Sequence, residues 1–410
     1  MNTNMMPSRD ARTAEEHRRK LTLAERLALL YAASVPFNGL AIGGRSLPFL
    51  VGAVYLTLAI LTRLASQNRE RDELPIRRML AAVVFTLYCT TSYYWSIAPD
   101  LTIGRVTTLF LLLLTSWFLA QDLSFVSRQL PVAFVIGAVL AAFMVLGAPA
   151  SITDRRTANG NANDVALTLL LGVVCALWLS LRERGRSRLL GALALAILIV
   201  GVVATGSRTA VVGGAAMTLA VVGWLAWKQQ WRPFVLVLGL FALGAAVFSI
   251  LPADVIPSRL TTIQSSLELD SLGGRTYLWR AILERGLDMN GVGAGATPAY
   301  LQQTIGSPFV SHNAFLGILL ETGIVGILLF LAILLHAIIA ARRSPYTELL
   351  FFMLPVMIAG SMALSIEDSR PLWFVIALAW AVQPHEPAGA AFGSTHREVG
   401  FGRAVQGAWR

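Results

Sequence analysis

The sequence predicts an all-α integral membrane protein with about twelve transmembrane helices and one large periplasmic loop containing amphipathic helices. Three observations carry that prediction. The 410 residues are 56% hydrophobic and only 14% charged, with a mean hydropathy of +0.65, outside the range of soluble domains. The apolar residues come in repeated runs of about 17 to 25, the length that crosses a hydrocarbon core of about 30 Å as a helix. Runs of alternating polarity, the mark of a membrane barrel, are absent from the sequence.

In chain order the predicted spans lie near 24–43, 46–65, 79–97, 104–120, 130–148, 163–181, 189–205, 209–227, 233–251, 318–340, 349–365 and 371–383. The first is interrupted by Pro36, Asn38 and Gly39, and the last is short. Both are kept, because neighbouring helices can re-satisfy a broken backbone. Residues 1–23 then form a cytoplasmic tail, 24–251 the first nine spans, 252–312 the large periplasmic loop and 313–383 the last three spans. Residues 384–410, rich in Gly and Ala, read as a disordered cytoplasmic tail.

Orientation follows from the basic residues. With twelve spans and the N-terminus inside, the cytoplasmic segments hold 23 of the 33 Lys and Arg residues and the outer segments hold ten. The net charge of +10 is therefore a topology signal, and nucleic acid is not an expected partner. The first 20 residues are polar and lead straight into a span, so the first helix is expected to act as an uncleaved start. Cys89 and Cys175 fall inside spans and read as packing residues.

Within the large loop, 275–285 reads as an amphipathic interfacial helix with Leu278, Ile282 and Leu283 on one face. Glycines flank it, and the stretch 291–295, Gly-Val-Gly-Ala-Gly, reads as a turn because it lacks phosphate-loop spacing and a preceding strand.

The residue types able to do chemistry cluster on the outer side. His17, His385 and His396 lie in cytoplasmic tails and His336 near the inner end of a span, which leaves His312, beside Asn313, as the one outer histidine. An ordinary interfacial hydrogen bond would explain a lone histidine; the surrounding arginines favour a functional one. Arg208 sits in a turn of about four residues with Ser207 and Thr209, a donor-rich geometry suited to anions, although headgroup anchoring would also place an arginine there. Arg275, Arg280 and Arg285 share the amphipathic segment, and Arg155 and Arg156 precede the sixth span. Arginine on the wrong side of a positive-inside protein fits a diphosphate ligand. Both lysines, Lys20 and Lys228, are cytoplasmic, so a lysine base on the outer face is excluded. Glu321 is the best acidic candidate there, in an orienting or packing role.

Three stretches resemble one family. They are the Ser-Arg-Thr-Ala turn at 207–210, the Gly-Arg-x-x-x-Trp helix at 274–279, and Gly-x-Gly followed by His-Asn-x-x-Leu and Glu-x-Gly-x-x-Gly between Gly293 and Gly326; an asparagine segment with Asn159, Asn161 and Asn163 precedes them. Together, over roughly 155–340, they resemble the O-antigen ligase and polymerase superfamily, which includes exopolysaccharide polymerases. The segment Tyr94-Trp95-Ser96 with Pro99 is similar to a motif of the exopolysaccharide branch.

The resemblance implies a GT-C-like fold in a bacterial inner membrane and metal-independent, inverting transfer of a glycan from an undecaprenyl-pyrophosphate donor at the periplasmic face, with no cofactor. The acceptor would be a glycan or a lipid, membrane lipids would surround the enzyme, and polysaccharide-export proteins would be its partners. By similarity, Arg208 and Arg275 would bind the pyrophosphate and His312 would activate the acceptor, with Ser207, Arg155, Arg156, Arg280, Asn313 and Glu321 as accessory residues. The aromatic segment tilts the reading toward a polymerase; a ligase acting on lipid A core is the alternative. A flippase, which would carry ionisable groups near midspan along a path, is the alternative of another class, and the spans contain almost none.

The predicted orientation has a direct check. Ser265→Cys and Ser394→Cys should label oppositely with a membrane-impermeant thiol reagent in intact cells, and equal labelling would overturn the topology.

Overall fold

The computed structural model describes residues 20–38, 41–42, 45–65, 76–149, 161–229, 275–285 and 288–382. Its helices are α1 (Leu23–Ser34), α2 (Leu47–Ala65), α3 (Leu80–Thr91), α4 (Pro99–Asp122), α5 (Gln129–Gly147), α6 (Ala162–Arg182), α7 (Gly185–Ala204) and α8 (Arg208–Trp227). After the loop come α9 (Arg275–Glu284), α10 (Thr297–Ile305), α11 (Ala314–Ala341), α12 (Thr347–Ser361) and α13 (Arg370–Trp380). A two-residue antiparallel ribbon pairs Ala41 with Ser46 and Ile42 with Arg45.

Seven described helices are long and apolar enough to cross a membrane: α2, α4 with its 3-10 extension to Phe125, α5, α6, α7, α8 and α11. The chain is a multi-pass all-α membrane protein. Helices also stand at four further predicted spans, as α1, α3, α12 and α13, but they are shorter. The predicted span at 233–251, Arg155, Arg156, residues 1–19 of the N-terminal tail and the whole C-terminal tail lie outside the described residues.

The apolar pattern explains which helix goes where. Helix α6 is apolar nearly all round and buried over most of its length, so it sits at the centre, packed by α5, α7, α8 and α12. Small residues allow the close approach: a methyl on Gly172 of α6 would lie 2.5 Å from Ala138 Cβ of α5. Helix α13 is buried from Pro371 to Trp380, yet its 11 residues cover only about 16 Å at about 1.5 Å each. Protein donors meet its C-terminal end, where Ser344 Oγ donates to Leu378 O at 2.6 Å and Arg78 Nη1 to Trp380 O at 3.0 Å.

The amphipathic helix forms as α9, but its apolar face differs in detail from the expectation. Leu278, Ala281 and Ile282 are buried, whereas Leu283 is exposed. At about 3.6 residues per turn, positions 278, 281 and 282 share a side and 283 lies well off it. That face packs on α10 and α11, in a small apolar cluster with Val292, Leu301 and Leu320.

The segment 291–295 is more than a turn. Helix α11 is broken at Gly323, whose φ of 65° and ψ of −162° are closed to other residues. The break frees two carbonyls, which accept from the inserted chain: Val292 N donates to Leu320 O at 2.9 Å and Gly293 N to Glu321 O at 2.8 Å. On the far side of the break Ile324 N donates to Asp288 O at 2.9 Å. The insertion leaves no room for side chains, since a Cβ on Gly293 would lie 2.3 Å from Ser96 Oγ and one on Gly323 2.3 Å from Met289 O.

Gly323→Ala should therefore destabilise the protein by at least the about 1–3 kcal/mol of a forbidden backbone conformation. Gly214→Ala on α8, where a new methyl meets nothing within 4 Å, should be neutral or mildly stabilising. Thermal unfolding of the detergent-purified variants distinguishes the two, and equal midpoints would contradict the broken-helix account.

Candidate functional site

Helix α8 begins at Ser207, whose Oγ accepts from Ala210 N at 3.3 Å as an N-cap. The same hydroxyl donates to Asn163 Oδ1 at 2.8 Å, in the first turn of α6. Asn161 caps that helix by accepting from Asn163 N at 3.0 Å. The N-termini of α6 and α8 are thus fastened side by side, with Arg208 half-buried at the first helical position of α8.

A second fastening positions Arg275 and His312. Trp279 Nε1 donates to Ser311 O at 2.9 Å, tying α9 to the residue before the histidine. Arg275 lies one turn before Trp279 on the same helix face, and its charge acts on the His312 imidazole. This accounts for the Arg-x-x-x-Trp spacing. Asn313 caps α11 by accepting from Leu316 N at 3.1 Å, while Ser311 Oγ lies 2.9 Å from Ser365 Oγ. Gly317 leaves room for this turn, because a Cβ there would stand 2.8 Å from Ser311 Oγ. Between the two anchors His312 adopts a left-handed φ of 51°, uncommon for a residue with a side chain.

His312 is half-buried and its pKa lies below the ordinary imidazole value. Burial is the larger cause and Arg275 the second. Desolvation is the larger because the turn is packed against α9 and α11. Both effects favour neutral imidazole, the form that can accept a proton.

Arg280 stands apart from this group. Its side chain is 81% exposed and pairs along α9 with Glu284, Nε to Oε1 at 2.9 Å. Arg285 pairs with Asp288 at 2.8 Å and lies over the Tyr300 ring.

The sequence reading missed a buried charge cluster beside the His312 turn. Arg105, near the start of α4, places Nη1 2.7 Å from Asp368 Oδ2 and 3.2 Å from Glu367 Oε1, and Nη2 3.5 Å from Glu321 Oε1. Glu321 also accepts from Thr297 Oγ1 at 2.8 Å, so its observed partners are Arg105 and Thr297. Nearby, Arg45 and Arg370 approach the Phe49 ring at 5.2 and 5.3 Å. A signal for the cluster existed: Arg45, Arg105 and Arg370 are among the ten basic residues on the predicted outer side, and Glu367-Asp368 is an acidic pair in a short outer loop.

One guanidinium facing three carboxylates favours retention of a proton. Glu367 holds it, its pKa raised from 4.5 to about 8. Burial is the main cause; Arg105 opposes it, and Asp368 and Glu321 add to it. Glu367 Oε2 has no hydrogen-bond partner among the described residues. No His, Cys, Asp and Glu grouping suited to a metal ion occurs among them either.

Fold and site together define a polytopic membrane protein with a polar, arginine-containing centre where several helix ends meet a reentrant loop. Residues 193–331 match the family model described as O-antigen ligase. The match contains Ser207, Arg208, Arg275, His312, Asn313 and Glu321, and over that stretch the chain is similar to the O-antigen ligase family. No curated protein matches the chain.

The charge cluster gives stability a defined pH dependence. Between about pH 4.5 and about 8 the native state keeps the Glu367 proton that the unfolded chain has released, so stability falls as pH rises through that window. Glu367→Gln, which cannot release a proton, should flatten the fall. Unfolding midpoints of both proteins from about pH 5 to about pH 8 test this, and parallel slopes would assign the proton elsewhere.

Proposed function

We propose that the protein transfers a glycan from an undecaprenyl-pyrophosphate donor to a hydroxyl of a second glycan or a lipid, at the periplasmic face of a bacterial inner membrane. The observation carrying this reading is the His312 turn, fastened through Ser311 to α9 so that a neutral imidazole stands within the field of Arg275. In the reaction the acceptor oxygen attacks the anomeric carbon, the bond from that carbon to the pyrophosphate oxygen breaks, and the configuration inverts. His312 takes the acceptor proton, and undecaprenyl pyrophosphate leaves with the bonding electron pair. Pyrophosphate is already a good leaving group, so the protein's task is alignment, charge stabilisation and a base.

Arg208 and Arg275 are the proposed pyrophosphate ligands, their planar forks suited to phosphate oxygens. Ser207 and Asn313 support the site by capping the helices that present Arg208 and follow His312. Arg155 and Arg156 remain proposed accessory residues from the sequence, as does Arg280, which is exposed and paired with Glu284. Glu321 orients the site through Arg105 and Thr297. Polymerisation of lipid-linked repeats is the favoured form of the reaction, on the strength of the Tyr94-Trp95-Ser96 segment, where Trp95 Nε1 donates to Asn290 O at 3.0 Å beside the reentrant chain.

His312→Ala should lower turnover by about 10²–10⁴, the usual contribution of a general base, while donor binding persists. Arg275→Gln should weaken donor binding and also remove one of the causes that lower the His312 pKa. The acid limb of its residual activity should then move to higher pH, because a more basic imidazole protonates sooner as pH falls. Transfer and donor retention measured separately across pH, with a purified lipid-pyrophosphate glycan, check all three. Near-normal turnover in the alanine variant would remove His312 from the base role.

A further inference from the structure

At the opposite end of the bundle, α5 and α7 stand apart over α6. Toward the site end they touch: a methyl on Gly201 of α7 would lie 2.9 Å from Ala142 Cβ of α5. Toward the other end they splay, leaving a cleft of about 1440 Å³, above the about 300–1,000 Å³ typical of small-ligand pockets. Val132, Ile136 and Leu140 of α5 form one wall, Leu190 and Ala194 of α7 the other, and Trp178 part of the floor. From Arg128 to Leu140 the groove runs about 18 Å at about 1.5 Å per residue. That is close to half of a bilayer core of about 30 Å, the depth of one leaflet.

The mouth is basic. Arg128, Arg182 and Arg184 line it, against Glu183 and Glu348. Glu348 is already engaged, accepting from Arg182 Nε at 2.8 Å and from Trp178 Nε1 at 3.2 Å. Arg128 and Arg184 are exposed and have no ion-pair partner among the described residues. An apolar slot one leaflet deep, capped by two arginines at headgroup level, matches an anionic phospholipid in both its parts.

We infer that this cleft is a specific site for an anionic phospholipid, its phosphate held by Arg128 and Arg184 and an acyl chain lying between α5 and α7. The site is independent of the glycan-transfer reading, since it shares no residue with the His312 centre. Basic pockets between helices at this end of membrane proteins take such headgroups through charge, and each arginine near the surface contributes a factor of about five in affinity.

The test is native mass spectrometry of the purified full-length protein in a non-ionic detergent, with equimolar phosphatidylglycerol and phosphatidylcholine of the same acyl chains. The wild type should retain phosphatidylglycerol preferentially. R128Q/R184Q should cut that preference about fivefold per arginine. Ile136→Trp, at an exposed position on the groove wall, should lower retention of both lipids. R186Q/R188Q, which alters exposed arginines that do not line the cleft, should change little. Equal retention of the two lipids by the wild type overturns the proposal. So does an undiminished preference in R128Q/R184Q, an equal loss in R186Q/R188Q, which would mean diffuse charge attraction, or unchanged retention in Ile136→Trp, which would place the lipid outside the groove.

Discussion

The interruption of α11 at Gly323 is the constraint from which the rest of the site follows. Away from water, a peptide group without a partner costs several kcal/mol, so a broken helix persists in a membrane protein only where other protein groups complete its hydrogen bonds. Here the chain at 288–293 supplies them, with amides donating to Leu320 O and Glu321 O and a carbonyl accepting from Ile324 N. That insertion brings the loop back over the bundle. Ala294 N then donates to Ser92 Oγ at 3.0 Å and Ile97 N to Val292 O at 3.0 Å, which fixes the loop against the ends of α3 and α4. Arg105 is close by on α4, where Gly295 lets the loop pass: a Cβ there would stand 2.9 Å from Arg105 Cβ.

The break also explains residues that the sequence offered only as a motif. In the stretch from Glu321 to Gly326, Gly323 supplies a backbone conformation denied to other residues. Gly326 leaves space for Thr322, since a Cβ would overlap its Oγ1 at 1.8 Å. Glu321 ends the first half of α11 and faces Arg105 and Thr297. Three letters of one motif thus do three different jobs around one discontinuity, none of which a spacing pattern encodes.

How much was legible follows from the range of each interaction. Apolar runs report on helices directly, so α2, α5, α6, α7 and α8 lie within a few residues of their predicted spans. Helix caps are local too, and the polar turns at Ser207 and Asn313 became N-caps. The cluster around Arg105 joins residues more than 200 positions apart, and nothing local pairs a cation at 105 with acids at 321, 367 and 368. The positive-inside rule had set Arg105 among the ten outer basic residues without marking it as different from the others. In α9, composition favoured Leu283 over Ala281, whereas packing chose by angle around the helix.

The two charged groups that flank the His312 turn have opposite logic. Arg275 and His312 lie partly open and bias the imidazole toward neutrality, as a site awaiting an anionic donor and a proton requires. Arg105 is enclosed by acids and pairs with three carboxylates from two chain segments, Glu321 and the adjacent Glu367 and Asp368. A buried ion cluster contributes little net stability, because desolvation offsets its attraction, but it penalises every arrangement that separates the partners. The loop 365–369 is therefore held in one register, and Ser365 with it. Through the contact between the Ser365 and Ser311 hydroxyls, that register is passed to the residue next to His312. The acids thus act on the proposed base through geometry, while its electrostatics come chiefly from burial and Arg275.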